Sequence, residues 1–203
     1  MIEQIVFLAL ATLAALGSPG PVPLALAATG ASFGARRSTP FLIGILVGLA
    51  VVAILTAAGV GVVVASGGWM VTTLLALSFL YFVYIAYKVT TAPLDRRADT
   101  TSQNPLNGRD GFVLNLINPK AYAAFTALYA GFGLPIEPNW FGIAATGAVI
   151  LFVAIIIDVA WLLSGGILAP AFESQRFGRA LRIALAVAML IAVGASIFLA
   201  VGR

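Results

Sequence analysis

The chain contains no cysteine and no histidine. Disulfides, thiolate clusters, imidazole metal sites and any catalytic triad built on histidine are thereby excluded. Charge is scarce as well: only 9% of the 203 residues are Asp, Glu, Lys or Arg, against about 25% in an ordinary soluble domain. With a hydrophobic content of 62%, that scarcity rules out a soluble globular fold. The 11 Lys and Arg outnumber the 7 Asp and Glu, but they sit in short breaks between apolar runs. A nucleic-acid face would need them massed on one solvated surface.

What the sequence has in abundance is uninterrupted apolar stretches, near 2–33, 38–65, 69–90, 111–134, 140–168 and 180–201. Each is long enough to cross about 30 Å of hydrocarbon at about 1.5 Å per residue. Because the runs are continuously apolar rather than alternating, they predict helices and not a barrel. The expected fold is therefore all-α: a polytopic membrane protein with six transmembrane helices forming a single transmembrane domain over 1–203. The first run does not read as a cleaved signal, since Glu3 stands where a basic region belongs and prolines interrupt the apolar core.

Basic residues mark the cytoplasmic connections. Arg36 and Arg37 fall in the first connection, Lys88, Arg96, Arg97 and Arg109 around the third, and Arg176, Arg179 and Arg182 around the fifth. The second connection, 66–68, and the fourth, 135–139 with Glu137, contain none. This alternation places both termini outside. The longest polar stretch, 91–110 (TAPLDRRADTTSQNPLNGRD), then reads as a cytoplasmic linker between a first half, 1–90, and a second half, 111–203. Three spans per half is an odd number, so the halves enter the membrane from opposite sides, as two inverted three-helix repeats do.

Two of the runs carry breaks. In the first run, Gly17-Ser18-Pro19-Gly20-Pro21-Val22-Pro23 interrupts the helix. Each proline removes a backbone donor and clashes one turn back. In the fourth run, Asn115-Leu116-Ile117-Asn118-Pro119-Lys120 sets two amides, a proline and a cation inside the apolar sequence. Broken helices at corresponding positions of two inverted halves point to a transport site. Pro19, Gly20, Pro21, Asn115, Asn118, Pro119, Lys120 and the deep-lying Tyr122 are accordingly the candidates for substrate binding and translocation.

The fifth run holds one carboxylate, Asp158. Burying it ionised costs about 2.5–3.5 kcal/mol even on the lenient insertion scale, so it reads as a proton-titrating group, a partner for a substrate ammonium, or a protonated hydrogen-bonding group. Counted from the cytoplasmic ends, Lys120 lies roughly 13 Å deep and Asp158 roughly 15 Å. They share a layer, where Lys120 either neutralises Asp158 or extends its stem towards the surface. Gly30 with Gly34, and Gly44 with Gly48, have the four-residue spacing of close helix packing. Trp69, Trp140 and Tyr87 sit near span ends as interfacial anchors. Tyr81 and Tyr84 lie deeper, suited either to packing or to hydrogen bonding a ligand.

Three stretches together resemble a known family. Gly17 to Gly30 (GSPGPVPLALAATG), followed by Gly34-Ala35-Arg36-Arg37 and Gly44-Ile45-Leu46-Val47-Gly48, resembles the N-terminal signature of the LysE/RhtB superfamily of lysine, homoserine and threonine exporters. Gly111 to Phe125 (GFVLNLINPKAYAAF) is similar to its Asn-Pro-Lys motif, and Asp158 with Trp161 to its acidic fifth-span position. The chain departs at Val22, where an Asn is common in the family. The resemblance implies a bacterial inner-membrane exporter of amino acids or related metabolites, driven by the proton or electrochemical gradient, with Asp158 as the proton-coupling residue.

Other classes fit the sequence less well. An intramembrane enzyme using Asp158 and Lys120 lacks a nucleophile or metal set at suitable spacing, so no catalytic residue, cofactor or metal site is assigned. A structural or assembly subunit would give no reason for paired breaks at one depth. An exporter of another small solute or of a metal ion stays open, although a metal would find only oxygen ligands here. The partners expected are a small-molecule substrate, protons and the lipid bilayer, with a homodimer left open and nucleic acid excluded.

Overall fold

A computed structural model describes residues 1–59, 69–91 and 106–172, together with helical positions 180, 183–188, 190, 191 and 194. Connection 66–68, most of linker 91–110 with Arg96 and Arg97, the Arg176, Arg179 and Arg182 group and most of run 180–201 lie outside the described residues. Every described element is helical. In chain order they are α1 (Ile2–Gly17), α2 (Pro21–Phe33), α3 (Ala35–Ala57), α4 (Trp69–Thr90), α5 (Gly108–Leu116), α6 (Pro119–Phe132) and α7 (Asn139–Phe172).

The boundaries follow local chemistry. Pro21 and Pro119 each occupy the first turn of a helix, where a missing N–H costs nothing. The chain bends by 68° between α1 and α2. Helix α2 ends at Gly34, whose φ of 81° is open to glycine at little cost, and α3 starts at the next residue. Gly34 is therefore a helix stop and not the packing residue its spacing with Gly30 predicts. Helix α5 opens three residues before run 111–134 because Asn107 and Asp110 form a capping box: the Asp110 amide donates to Asn107 Oδ1 at 3.1 Å, and the Asn107 amide donates to Asp110 Oδ2 at 2.8 Å. The hydroxyl of Tyr81 on α4 donates to the same carboxylate at 3.2 Å, so it is committed to the packing of α4 on α5.

Three described helices are long and apolar enough to cross a membrane, or four if the bent pair α1–α2 is one span. The fourth predicted span is two short helices, α5 and α6, neither of which can cross alone. On α7, Phe152, Ile156, Leu163 and Ile167 are exposed along one face, and on α3 so are Ile43, Val47 and Ile54. Apolar faces of this extent suit lipid rather than water.

Packing differs along the bundle. At the end where α2 meets α3, hereafter the Gly34 end, helices touch through backbone. A methyl group at Gly44 would overlap the carbonyl of Gly108, and one at Gly111 would overlap that of Phe41, so α3 and α5 cross at glycine distance. Helices α2 and α7 cross likewise, Gly30 against the Leu162 carbonyl and Gly165 against that of Ala27. Phe41, Ile45, Phe82, Ile85, Leu114 and Leu162 fill the core around these crossings. A second core lies towards the end where α6 stops, the Gly133 end, and includes Leu8, Val52, Phe125, Leu128 and Ile150. Polar groups occupy the layer between the two cores.

Candidate functional site

The layer is built from the two helix breaks. Proline at positions 21 and 23 deprives carbonyls one turn earlier of their helical donors, and at membrane depth other groups must supply partners. Two long side chains from other helices do so. Trp161 Nε1 on α7 donates to the Gly17 carbonyl at 3.3 Å. Lys120 Nζ on α6 donates to the Ser18 carbonyl at 3.4 Å and to Ser18 Oγ at 3.0 Å. Gly20 gives the ammonium its room, since a Cβ there would lie 2.8 Å from Nζ.

The second break is satisfied in the same way. Asn118 caps α6 by accepting from the Lys120 amide at 3.1 Å. The Leu116 carbonyl accepts from the Tyr122 hydroxyl at 3.0 Å, and the Ile117 carbonyl accepts from Ser78 Oγ on α4. Asn115 Nδ2 donates to the Ile45 carbonyl at 2.9 Å and ties α5 to α3. The two breaks thus meet, with Lys120 from the second reaching into the first.

Between them lies a cavity lined by Leu16, Val22, Asn115, Asn118, Lys120 and Asp158, with Pro23, Leu49, Ala121 and Ala154 completing the wall. Asp158 is only 7% exposed, and no described residue hydrogen-bonds its carboxylate. Lys120 and Asp158 share the cavity, but the ammonium is held by the broken end of α1 and not by Asp158. The free volume is about 30 Å³. At about 10–15 Å³ per water, that is room for two or three water molecules and nothing larger.

Of the residues the sequence singles out, Asn115, Asn118, Lys120 and Asp158 form the cavity wall. Pro19, Gly20, Pro21, Pro119 and Tyr122 shape the breaks behind it. Pro19 is exposed and Pro21 buried, while the Tyr122 hydroxyl is spent on Leu116. Sequence reasoning missed the apolar wall, and it missed Ser18 and Ser78 as partners in the breaks. Nothing in the local sequence around Ser78 distinguishes it from any other hydroxyl inside a transmembrane helix. Among the described residues no cluster of acidic side chains offers a cation site.

Comparison with known proteins bears on this arrangement. A protein of Vibrio cholerae serotype O1, named an uncharacterized membrane protein, is 28% identical over 126 residues, 61% of this chain and 62% of its own length. Cysteine/O-acetylserine efflux proteins of Escherichia coli O139:H28 and K12 are 27% and 26% identical over 180 residues, 88% of this chain and 90% of theirs. No solved structure matches significantly. The model of the LysE type translocators matches residues 13–201, a span that holds both breaks, the Lys120 contact and Asp158, and the chain belongs to that family.

Proposed function

We propose that the protein exports a small amino acid, or a close chemical relative of one, across a bacterial cytoplasmic membrane. The observation that carries this is the convergence of Lys120, Asp158, Asn115 and Asn118 on one cavity where two helices are broken. Opposite charges that are not paired with each other suit a zwitterion. Once movement of the halves widens the cavity beyond its present room for water, the solute carboxylate would take the Lys120 ammonium, its ammonium the Asp158 carboxylate, and the amides its remaining hydrogen bonds. The family membership and the efflux proteins named above support an exporter of this kind. Val22, where the chain departs from the family resemblance, is part of the wall and makes that side of the cavity apolar.

In this proposal the chain is one domain of six spans, with halves 1–90 and 111–203 inverted about the polar layer and linker 91–110 in the cytoplasm. The Gly34 end, with Arg36, Arg37 and Arg109, faces the cytoplasm, and both termini lie outside. Its glycine crossings close the cytoplasmic path in this conformation. Rocking of the halves would open it, and Asp158 would exchange a proton for the substrate ammonium. The test is export from vesicles loaded with radiolabelled L-cysteine, O-acetyl-L-serine, L-threonine and L-lysine under an imposed pH difference. At least one of these should leave faster than from protein-free vesicles, and equal rates for all four would overturn the proposal.

A further inference from the structure

A larger cavity, of about 420 Å³, lies at the Gly133 end between α3, α6 and the start of α7. Its volume falls in the range of about 300–1,000 Å³ typical of small-molecule sites, whereas the central cavity holds only water. Thr56, Thr126, Tyr129, Asn139 and Thr146 provide its polar lining, and among the described residues no charged side chain contributes.

Two of these hydroxyls, those of Thr56 and Tyr129, make no hydrogen bond among the described residues. Thr56 borders the cavity, but its hydroxyl is sealed from that space and makes no hydrogen bond. The Tyr129 hydroxyl also lacks a partner among the described residues. It fits only because position 147 is glycine, where a Cβ would lie 2.6 Å from it. Thr126 donates to the Tyr122 carbonyl at 2.8 Å and keeps its acceptor capacity. Thr146, by contrast, is spent on the Leu134 amide and the Gly142 carbonyl. The N-terminus of α7 adds donors: Pro138 accepts the first helical bonds, from Phe141 and Gly142, so the amides of Asn139 and Trp140 have no intrahelical acceptor. Such a terminus favours a carboxylate.

One apolar layer separates this cavity from the central one. Along α3, Leu49 borders the central cavity and Thr56 the larger one. Val52 lies between them. On α6, Phe125 lies between Ala121 and Thr126, and on α7, Ile150 lies between Ala154 and Thr146. Val52, Phe125 and Ile150 are fully buried members of one core.

We propose that the cavity at the Gly133 end is a second solute-binding site, for a small amino acid with an uncharged side chain. The carboxylate docks at the N-terminus of α7, and the ammonium is accepted by the Thr126 and Tyr129 oxygens. A solute reaches it from the central cavity when the Val52, Phe125 and Ile150 layer parts. Its role as an exit site rests on the exporter reading, whereas the binding itself does not.

The test uses the absence of cysteine. Ala130, in the cavity wall, is replaced by cysteine, and its labelling by a water-soluble thiol reagent is followed in nanodiscs, where both faces are accessible. L-serine and O-acetyl-L-serine should each slow labelling, about threefold at twice the Kd, by the factor 1 + [L]/Kd. L-serine methyl ester and glycerol should not. Adding Thr126→Val and Tyr129→Phe should abolish the protection. Protection that is absent, or equal with the ester, or intact in the triple variant overturns the site. Export by Ala130→Cys protein from vesicles separates the two proposals: export without protection sinks this site alone, and protection without export sinks the exporter reading alone.

Discussion

Replacing Gly165 by alanine adds one methyl group at the crossing of α2 and α7. The new Cβ would lie 2.7 Å from the carbonyl carbon of Ala27 and 2.9 Å from its Cα. Carbon atoms rest at about 3.5–4.0 Å, so the helices must part by about 1 Å. The obstacle is backbone and cannot swing aside as a side chain would. Overpacking of this kind costs about 1–3 kcal/mol. If the crossing is a gate that opens during transport, the cost falls on the closed state alone. The closed-to-open ratio then drops by about 5- to 150-fold. A reporter, Val22→Cys in the central cavity wall, reads this directly. A membrane-impermeant maleimide should label it faster from the Gly34 side by a factor in that range when Gly165→Ala is added. The thermal midpoint should fall as well, because the closed conformation is the populated one. A lowered midpoint with unchanged labelling would show that the crossing is fixed structure, and the gate argument would fail. No change in either quantity would refute the claim of close approach itself.

Other substitutions probe the breaks, the coupling and the topology. Trp161→Phe keeps the ring but leaves the Gly17 carbonyl without its donor, which should cost about 1–3 kcal/mol and lower the thermal midpoint by several degrees; a midpoint within a degree of wild type would mean that water already serves that carbonyl. Asp158→Asn keeps size and hydrogen bonding while fixing a neutral group, so exchange of labelled substrate at equal pH should persist while export driven by a pH difference disappears. Export retaining the wild-type pH dependence would place coupling elsewhere. A reporter enzyme fused after Arg203 should be active only outside the cytoplasm, and cytoplasmic activity would refute the inverted six-span topology.

Much of the helical layout is legible in the sequence. Run 69–90 coincides with α4, and 2–33 divides into α1 and α2 at the prolines, because backbone chemistry at Pro21 leaves the chain little choice. Gly30 and Gly44 pack helices as their spacing predicts, since only glycine lets two backbones touch. Gly34 does not, because spacing cannot distinguish a packing glycine from one that ends a helix at positive φ. The candidate site is legible to a similar degree. Asn115, Asn118, Lys120 and Asp158 were recognisable as polar groups out of place in apolar runs, and burial brings them to one cavity. Their pairing was not recognisable. Equal depth leaves Lys120 either to neutralise Asp158 or to extend its stem towards the surface, because depth along a helix says nothing about the direction in which a side chain points. Lys120 turns instead to the unsatisfied end of α1. The cavity at the Gly133 end left no trace in the sequence, because threonines and a tyrosine inside helices are ordinary residues until the fold sets them around one space.

The contact between Lys120 and Ser18 links substrate recognition to helix geometry. The ammonium holds the broken end of α1 through two neutral oxygens, at 3.0 and 3.4 Å. A carboxylate adds the attraction of a full opposite charge to the hydrogen bond, so a solute carboxylate that reaches Lys120 as the central cavity widens would compete successfully for it. Ser18 would then lose its partner from α6, while the contact of Trp161 with the Gly17 carbonyl would remain. In the export proposal, α1 and α6 belong to opposite halves, so the loss loosens one of the bonds holding the halves in this conformation. A ligand shifts an equilibrium only by its differential affinity for the two states. Lys120 provides such a difference, because the side chain that binds the solute best is the one that stitches the empty conformation shut.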